Sequence, residues 1–351
     1  MDTICLHQLC AILRFRSMHH WNTRIKLPDG QRVRDFFRAW NLEQGVLAST
    51  GQSLYSIVTT DSRRHFGEKP RFYTGTKSKQ QRPGGAYQKL LSTRFFGIQS
   101  YFLDPLIPSH QALDGEWKRW RSSYVRGVLK RYLPSDDRYP DKSEEIPRVV
   151  IYELMANAIL HPQAQLVLTS SRATHFESRP LKSGELTSER RRSTEYPHFT
   201  ICIWDDGLSI ARTLRSALED GRPIRTSTEI QQDLFSIEAL NWCSEQRTLP
   251  SRFTPTLDDP DELFVLASFF NGISCRADQD SPDERVGSGL HALYRCVIDT
   301  LGGELAIRSG KSFIHIEKED GEASYQAKIT RYNGVDFPGT LVIVRIPCDG
   351  D

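Results

Sequence analysis

The 351 residues carry 46 Lys+Arg against 44 Asp+Glu, with 38% apolar and 26% charged side chains. That balance belongs to a soluble globular protein of about two domains at roughly 150 residues each, and excludes a disordered chain. No apolar run approaches the roughly 20 residues that a bilayer crossing needs. The short apolar stretch of residues 4–13 leads into Arg14 and Arg16 without a small-residue cleavage site, which argues against a signal peptide.

Seven cysteines, at positions 5, 10, 202, 243, 275, 296 and 348, form no CxxC pair. Their odd number and scatter suit reduced, mostly buried thiols in a cytoplasmic protein and not a secreted or zinc-ribbon one. The near-neutral net charge conceals a division. Residues 1–135 hold 22 basic and 9 acidic side chains, leaving 24 and 35 for residues 136–351. A stretch rich in Pro, Asp and Ser, residues 133–142, reads as a linker between the two halves. The sequence therefore predicts a basic N-terminal α/β domain over residues 1–140 and a separate C-terminal domain over residues 141–351.

In chain order, a turn at residues 27–30 leads into a predicted helix over residues 31–42, with Val33, Phe36, Phe37 and Trp40 on one face. Residues 62–94 hold nine Lys/Arg and one acid, Glu68, and read as an exposed loop. Its basic and aromatic residues fit contact with nucleic acid, although no recognised nucleic-acid-binding pattern accompanies them; the plainer reading is a solvated loop or one docked on the acidic half. Residues 94–103 have strand character, and residues 111–132 read as a long helix with Trp117, Trp120 and Tyr124 inward.

The second half carries the chemistry. Residues 143–161 predict a helix with Ser143 as N-cap, Pro147 in its first turn, and Ile146, Val150, Leu154 and Ala158 as a core stripe. Glu153, Asn157 and His161 stack on a neighbouring face at i, i+4 and i+8. A carboxamide oxygen can ligate Mg²⁺ while a carboxylate one turn away orients or deprotonates a water; His161 reads more simply as a structural or surface residue. Residues 198–205 form a buried strand that delivers Asp205 onto a glycine turn, Asp206-Gly207, followed by Ser209. Predicted helices follow at 210–218, 229–243 and 262–270. Gly287, Ser288, Gly289 and Leu290 then open an apolar-periodic helix ended by Gly302-Gly303, and free backbone N–H groups at such a start favour anions. Strand-like runs occupy residues 304–308, 312–317, 323–331 and 337–347, the last entered through Gly339-Thr340.

Together and in this order, these pieces resemble the GHKL ATPase superfamily of DNA gyrase, the ninety-kilodalton heat-shock chaperones, histidine kinases and MutL. Glu153-x-x-x-Asn157 resembles its N box, Asp205-x-Gly207-x-Ser209 its G1 box, Gly287-x-Gly289-Leu290 its G2 box, and Gly339-Thr340 its final strand. The resemblance covers residues 143–347. It implies an α+β fold, the Bergerat-type α/β sandwich, with a mixed and mostly antiparallel sheet covered on one face by helices and a lid at about residues 254–288.

It also implies ATP and Mg²⁺ as cofactors. Asp205 is implied to take the adenine amino group, Gly207 to admit the base and Thr340 to support it. Asn157 is implied to hold Mg²⁺, and Gly287, Ser288, Gly289 and Leu290 to meet the phosphates. Glu153 is implied as the general base of an ATP hydrolase. Arg285 reads either as a phosphate-neutralising group or as a solvated lid residue. Ser209 departs from the usual second glycine of the G1 box. The expected function is an ATPase acting as a nucleotide-dependent switch. The alternatives are a protein kinase of the histidine-kinase or anti-sigma-factor type, against which the first half lacks a phosphoacceptor helix, and an ATP-dependent adaptor without turnover. An ATP-linked homodimer and an unidentified protein partner complete the expectations.

Overall fold

The computed structural model describes residues 3–26, 42–52, 57–59, 95–102, 142–160, 164–174, 198–220, 241–242, 256–269, 289–318, 325–332, 334 and 336–347. The expected helices at 31–42 and 111–132, the basic stretch at 62–94, and the linker at 133–140 lie outside the described residues, apart from Leu42. No described helix is long and apolar enough to cross a membrane.

The chain begins with α1 (Thr3–Met18) and α2 (Leu42–Thr50), followed by β1 (Phe95–Phe102), α3 (Lys142–Leu160), β2 (Leu166–Thr174) and β3 (His198–Asp205). After these come α4 (Ile210–Glu219), β4 (Asn241–Trp242), α5 (Asp261–Ala267) and α6 (Gly289–Tyr294), the last continued by a π-helical turn (Arg295–Thr300). The chain closes with β5 (Glu304–Gly310), β6 (Ser312–Lys318), β7 (Tyr325–Arg331) and β8 (Phe337–Pro347). The strands form one open sheet in the order β1-β2-β3-β8-β5-β6-β7-β4. Every pairing is antiparallel except that of the two-residue β4 with β7. The fold is α+β.

The last strand in sequence lies in the middle of the sheet because it is apolar on both sides. Along β8, Val342, Val344 and Ile346 join one core, while Leu341 and Ile343 join the other. The same period of two divides Phe199, Ile201 and Ile203 from Cys202 and Trp204 on β3. One face is covered by α3, α4, α5, α6 and the π-helical turn. Val150, Ile151, Leu154, Met155, Ala158 and Ile159 of α3 are buried there, which matches the stripe expected from Val150, Leu154 and Ala158. On the opposite face, α1 packs on β2, β3 and β8, and α2 on β1 and β2, with Cys10, Ala11 and Leu13 against Leu166, Leu168 and Trp204. The sheet is thus covered on both faces over these strands, a departure from the single covered face that the resemblance implies. The described residues N-terminal to the expected boundary near 140 share the sheet and a core with those beyond it.

Two local expectations are corrected. Helix α3 starts at Lys142, one residue before the expected cap, so Pro147 falls in its second turn. Asn241 and Trp242, expected at the end of a helix over 229–243, pair as a parallel strand with Gln326 and Ala327; a two-residue strand is dictated by its tertiary partner, which local propensity does not register. The glycines at 302–303 end the helical stretch as expected. Gly302 adopts φ +62°, and a Cβ on Gly303 would sit 2.3 Å from the Arg345 carbonyl oxygen.

Candidate functional site

Asp205, Thr340 and Ser309 form a row across three neighbouring strands. The register opposes Asp205 to Thr340 and Thr340 to Ser309. Alternation from the buried residues of each strand places all three on the α3 face, beyond Ile203, Val342 and Ile307. The three residues are 3%, 5% and 0% exposed, so this end of the sheet carries three polar side chains where a core would carry apolar ones. The Ser309 and Thr340 hydroxyls lie 3.2 Å apart. Gly339 makes the close approach possible: it has φ +73°, and a Cβ there would fall 1.8 Å from the Asp205 carbonyl oxygen.

Burial pushes the Asp205 carboxyl well above the ordinary carboxylate range; the Gly207 backbone N–H opposes this, and the neighbouring Asp206 charge adds to it. The Gly207 N–H donates to Asp205 Oδ1 at 3.0 Å. A Cβ on Gly207 would meet that oxygen at 3.0 Å and Ala164 at 3.2 Å, so glycine keeps the turn tight against the carboxylate. Ser209 is the N-cap of α4, its hydroxyl accepting from the Arg212 N–H at 3.3 Å. The next N–H, of Ile210, donates to Ser309 Oγ at 2.7 Å. Ser209 therefore has a structural task, and the start of α4 is tied to the polar row.

Helix α3 packs against both β3 and α6. Glu153 and Asn157 are half-buried on it. The carboxamide nitrogen of Asn157 is buried with no hydrogen-bond partner among the described residues. Gly289 is the first residue of α6, and Leu290 packs partly buried on the α3-side core. Gly287, Ser288, Arg285, His161 and most of the expected lid, other than residues 256–269, lie outside the described residues.

No family model, curated protein or solved structure matches this chain.

Three participants went unrecognised in the sequence. Ser309 is the penultimate residue of β5, and its partners are distant in sequence. Asp206 was passed over as half of an Asp-Gly turn. Its Oδ1 accepts from the N–H groups of Gln165 and Leu166 at 2.7 and 2.8 Å, while Oδ2 accepts from Arg14 Nε at 2.9 Å. Arg14, the third, reaches it from α1. Elsewhere among the described residues, Glu304, His315 and Glu317 bring metal-ligating atoms within 4.8 Å of one another. There Glu304 Oε2 already accepts from His315 at 3.1 Å and Arg345 at 3.4 Å. The His315 hydrogen bond is foremost in holding the Glu304 carboxyl below its ordinary range. With a guanidinium in the cluster, it is an ion-pair network on the α1 face.

Proposed function

We propose that the chain binds Mg-ATP at the α3 face of the sheet, in a site of the GHKL type, and works as an ATP hydrolase that switches conformation with its nucleotide. The observation that carries this reading is the buried row Asp205–Thr340–Ser309 beside the Gly207 turn. A carboxyl group, a hydroxyl and a glycine turn at one sheet end suit the polar edge of a flat base better than they suit a hydrophobic core. The sheet order supports it: inserting β8 between β3 and β5 makes the Gly339-Thr340 strand the neighbour of the Asp205 strand. The Bergerat-type fold belongs to the same reading. The fit of the metal-nucleotide rests on Asn157: its carboxamide oxygen is the atom that can ligate Mg²⁺, and its buried nitrogen, a donor without a partner among the described residues, is left over for a phosphate oxygen.

In this reading Asp205 accepts from the adenine amino group, Gly207 lets the base lie close and Thr340, steadied by Ser309, faces it. Asn157 holds Mg²⁺, which when bound neutralises phosphate charge and fixes the phosphates for attack. The backbone N–H groups of Gly287, Ser288, Gly289 and Leu290 receive the phosphates. Glu153 orients the attacking water and takes its proton.

Calorimetric titration of the full chain with Mg-ATP tests the reading. Binding is expected, with about a tenfold loss in Asn157→Ala and in Asp205→Ala, the order of one hydrogen bond. Unchanged affinity in both variants sinks it. Glu153→Ala is expected to bind and not to turn over. With γ-labelled ATP, free phosphate supports the hydrolase. Label on protein instead selects the phosphotransferase alternative, and binding with no product the adaptor.

A further inference from the structure

Among the described residues of the basic N-terminal part, Arg14 meets the turn that carries the proposed site. Trp204 and Asp205 end β3 and Asp206 follows; the alternation that sends Asp205 to the α3 face sends Trp204 to the α1 face. There α1 lays Cys10, Ala11 and Leu13 against Leu166, Leu168 and Trp204. Arg14 follows directly. Its Nε donates to Asp206 Oδ2 at 2.9 Å, with the Asp206 side chain only 2% exposed and that of Arg14 19%, and its terminal nitrogen donates to Gln165 Oε1 at 3.3 Å. Asp206 Oδ1 meanwhile holds the N–H groups of Gln165 and Leu166, and the Asp206 N–H donates to the Leu166 carbonyl at 3.1 Å. One carboxylate thus fastens together α1, the start of β2 and the turn that carries Asp205 and Gly207.

We propose that Arg14 is a positioning residue for the nucleotide site: through Asp206 it sets the Asp205–Gly207 turn, so that docking of α1 and binding of the adenine base favour each other. The inference rests on the Mg-ATP reading above. Asp206 needs a cation because its carboxylate is almost entirely removed from water, and unpaired it is costly to bury. Without Arg14 the turn relaxes toward water and takes the adjacent Asp205 backbone with it, away from the close approach that Gly339 makes to its carbonyl. By linkage, a helix that tightens the site must itself be tightened by the site's ligand, by the same factor.

The test uses the full chain and Mg-ATP as probe. Arg14→Ala is expected to weaken Mg-ATP binding by about tenfold, within the usual range of such couplings. Arg14→Lys, which keeps a cation at the carboxylate, is expected to recover most of that loss, a rescue that a generic packing defect does not show. In an Asp206→Asn background, Arg14→Ala is expected to cost nothing further, since the two act as one unit. In the unsubstituted chain, saturating Mg-ATP is expected to slow amide hydrogen exchange in residues 3–18, a readout that does not depend on any variant folding. Unchanged affinity in Arg14→Ala, or exchange in α1 indifferent to Mg-ATP, overturns the coupling while leaving the site intact. If the unsubstituted chain does not bind Mg-ATP, the site reading falls and the coupling with it.

Discussion

Asp205 carries opposed demands. Its carboxyl is buried in a row of hydroxyls and backbone amides, and burial raises its pKa. The folded chain therefore holds a proton that the unfolded chain has released once pH exceeds the ordinary carboxylate range, so this group's contribution falls as pH rises through that range. Asparagine has the same shape and keeps an oxygen for the Gly207 N–H. Asp205→Asn is expected to raise thermal stability at neutral pH, flatten its decline between mildly acidic and neutral pH, and weaken Mg-ATP binding. A variant less stable than the parent at neutral pH would show that the charged carboxylate is a net stabiliser. Such a trade is usual where a polar group is retained for binding. Asp205, Gly207 and Asn157 are legible as candidates through the order and spacing of several motifs together, each of them a common local pattern alone. Ser309 and Asp206 were hidden because their meaning comes from distant partners: the Ile210 N–H is 99 residues from Ser309, and Arg14 is 192 from Asp206.

Among the elements, α1 has the most unusual contact. His7 is fully buried, and its Nε2 lies 2.7 Å from Ser170 Oγ on β2. Burial brings its pKa from 6.5 down to about 3. The unfolded or undocked helix takes up a proton below 6.5 that the docked helix refuses until about pH 3, so docking weakens steadily as pH falls across that window. At pH 5 the loss is about 2 kcal/mol relative to neutral pH. Proteolysis in α1, or its hydrogen exchange after correction for the intrinsic pH dependence of the amide rate, is expected to accelerate between pH 6.5 and 5, and His7→Gln, which can still reach Ser170 and does not titrate, to abolish that dependence. An acid response that persists in His7→Gln would assign it to another group. His7 interrupts the short apolar stretch of residues 4–13, but its partner Ser170 is 163 residues away and nothing local points to it. By contrast α3, β3 and β8 were legible, because helical or alternating apolar periods extend over 8 to 19 residues in them. Helix α2 was missed: it is nine residues long and includes Gly45, Ser49 and Thr50, so local propensity marks it poorly.

At the scale of the molecule, the division of charge at about residue 135 suggested two separable bodies, yet the described N-terminal elements complete the sheet. Strand β1 pairs with β2 along its length, and α1 and α2 cover the face that β2, β3 and β8 present on their second side. The Arg14–Asp206 pair joins the basic half to the acidic one where the two meet. Removing residues 1–140 would expose Leu166, Leu168, Cys202, Trp204, Leu341 and Ile343, each now at most 2% accessible. Uncovering six such side chains costs about 10 kcal/mol, comparable with the whole stability of a typical domain. It would also leave β2 as an edge strand with one unpaired side, a template for association. A chain of residues 141–351 is therefore expected to aggregate or to lack a cooperative thermal transition, while the full chain melts as one unit. Circular dichroism during heating, with light scattering to detect association, decides between the two. A monomeric fragment with a melting temperature near that of the full chain would mean that the α1 and α2 layer is an accessory to a domain that stands without it, and that the basic half exists for an outside partner.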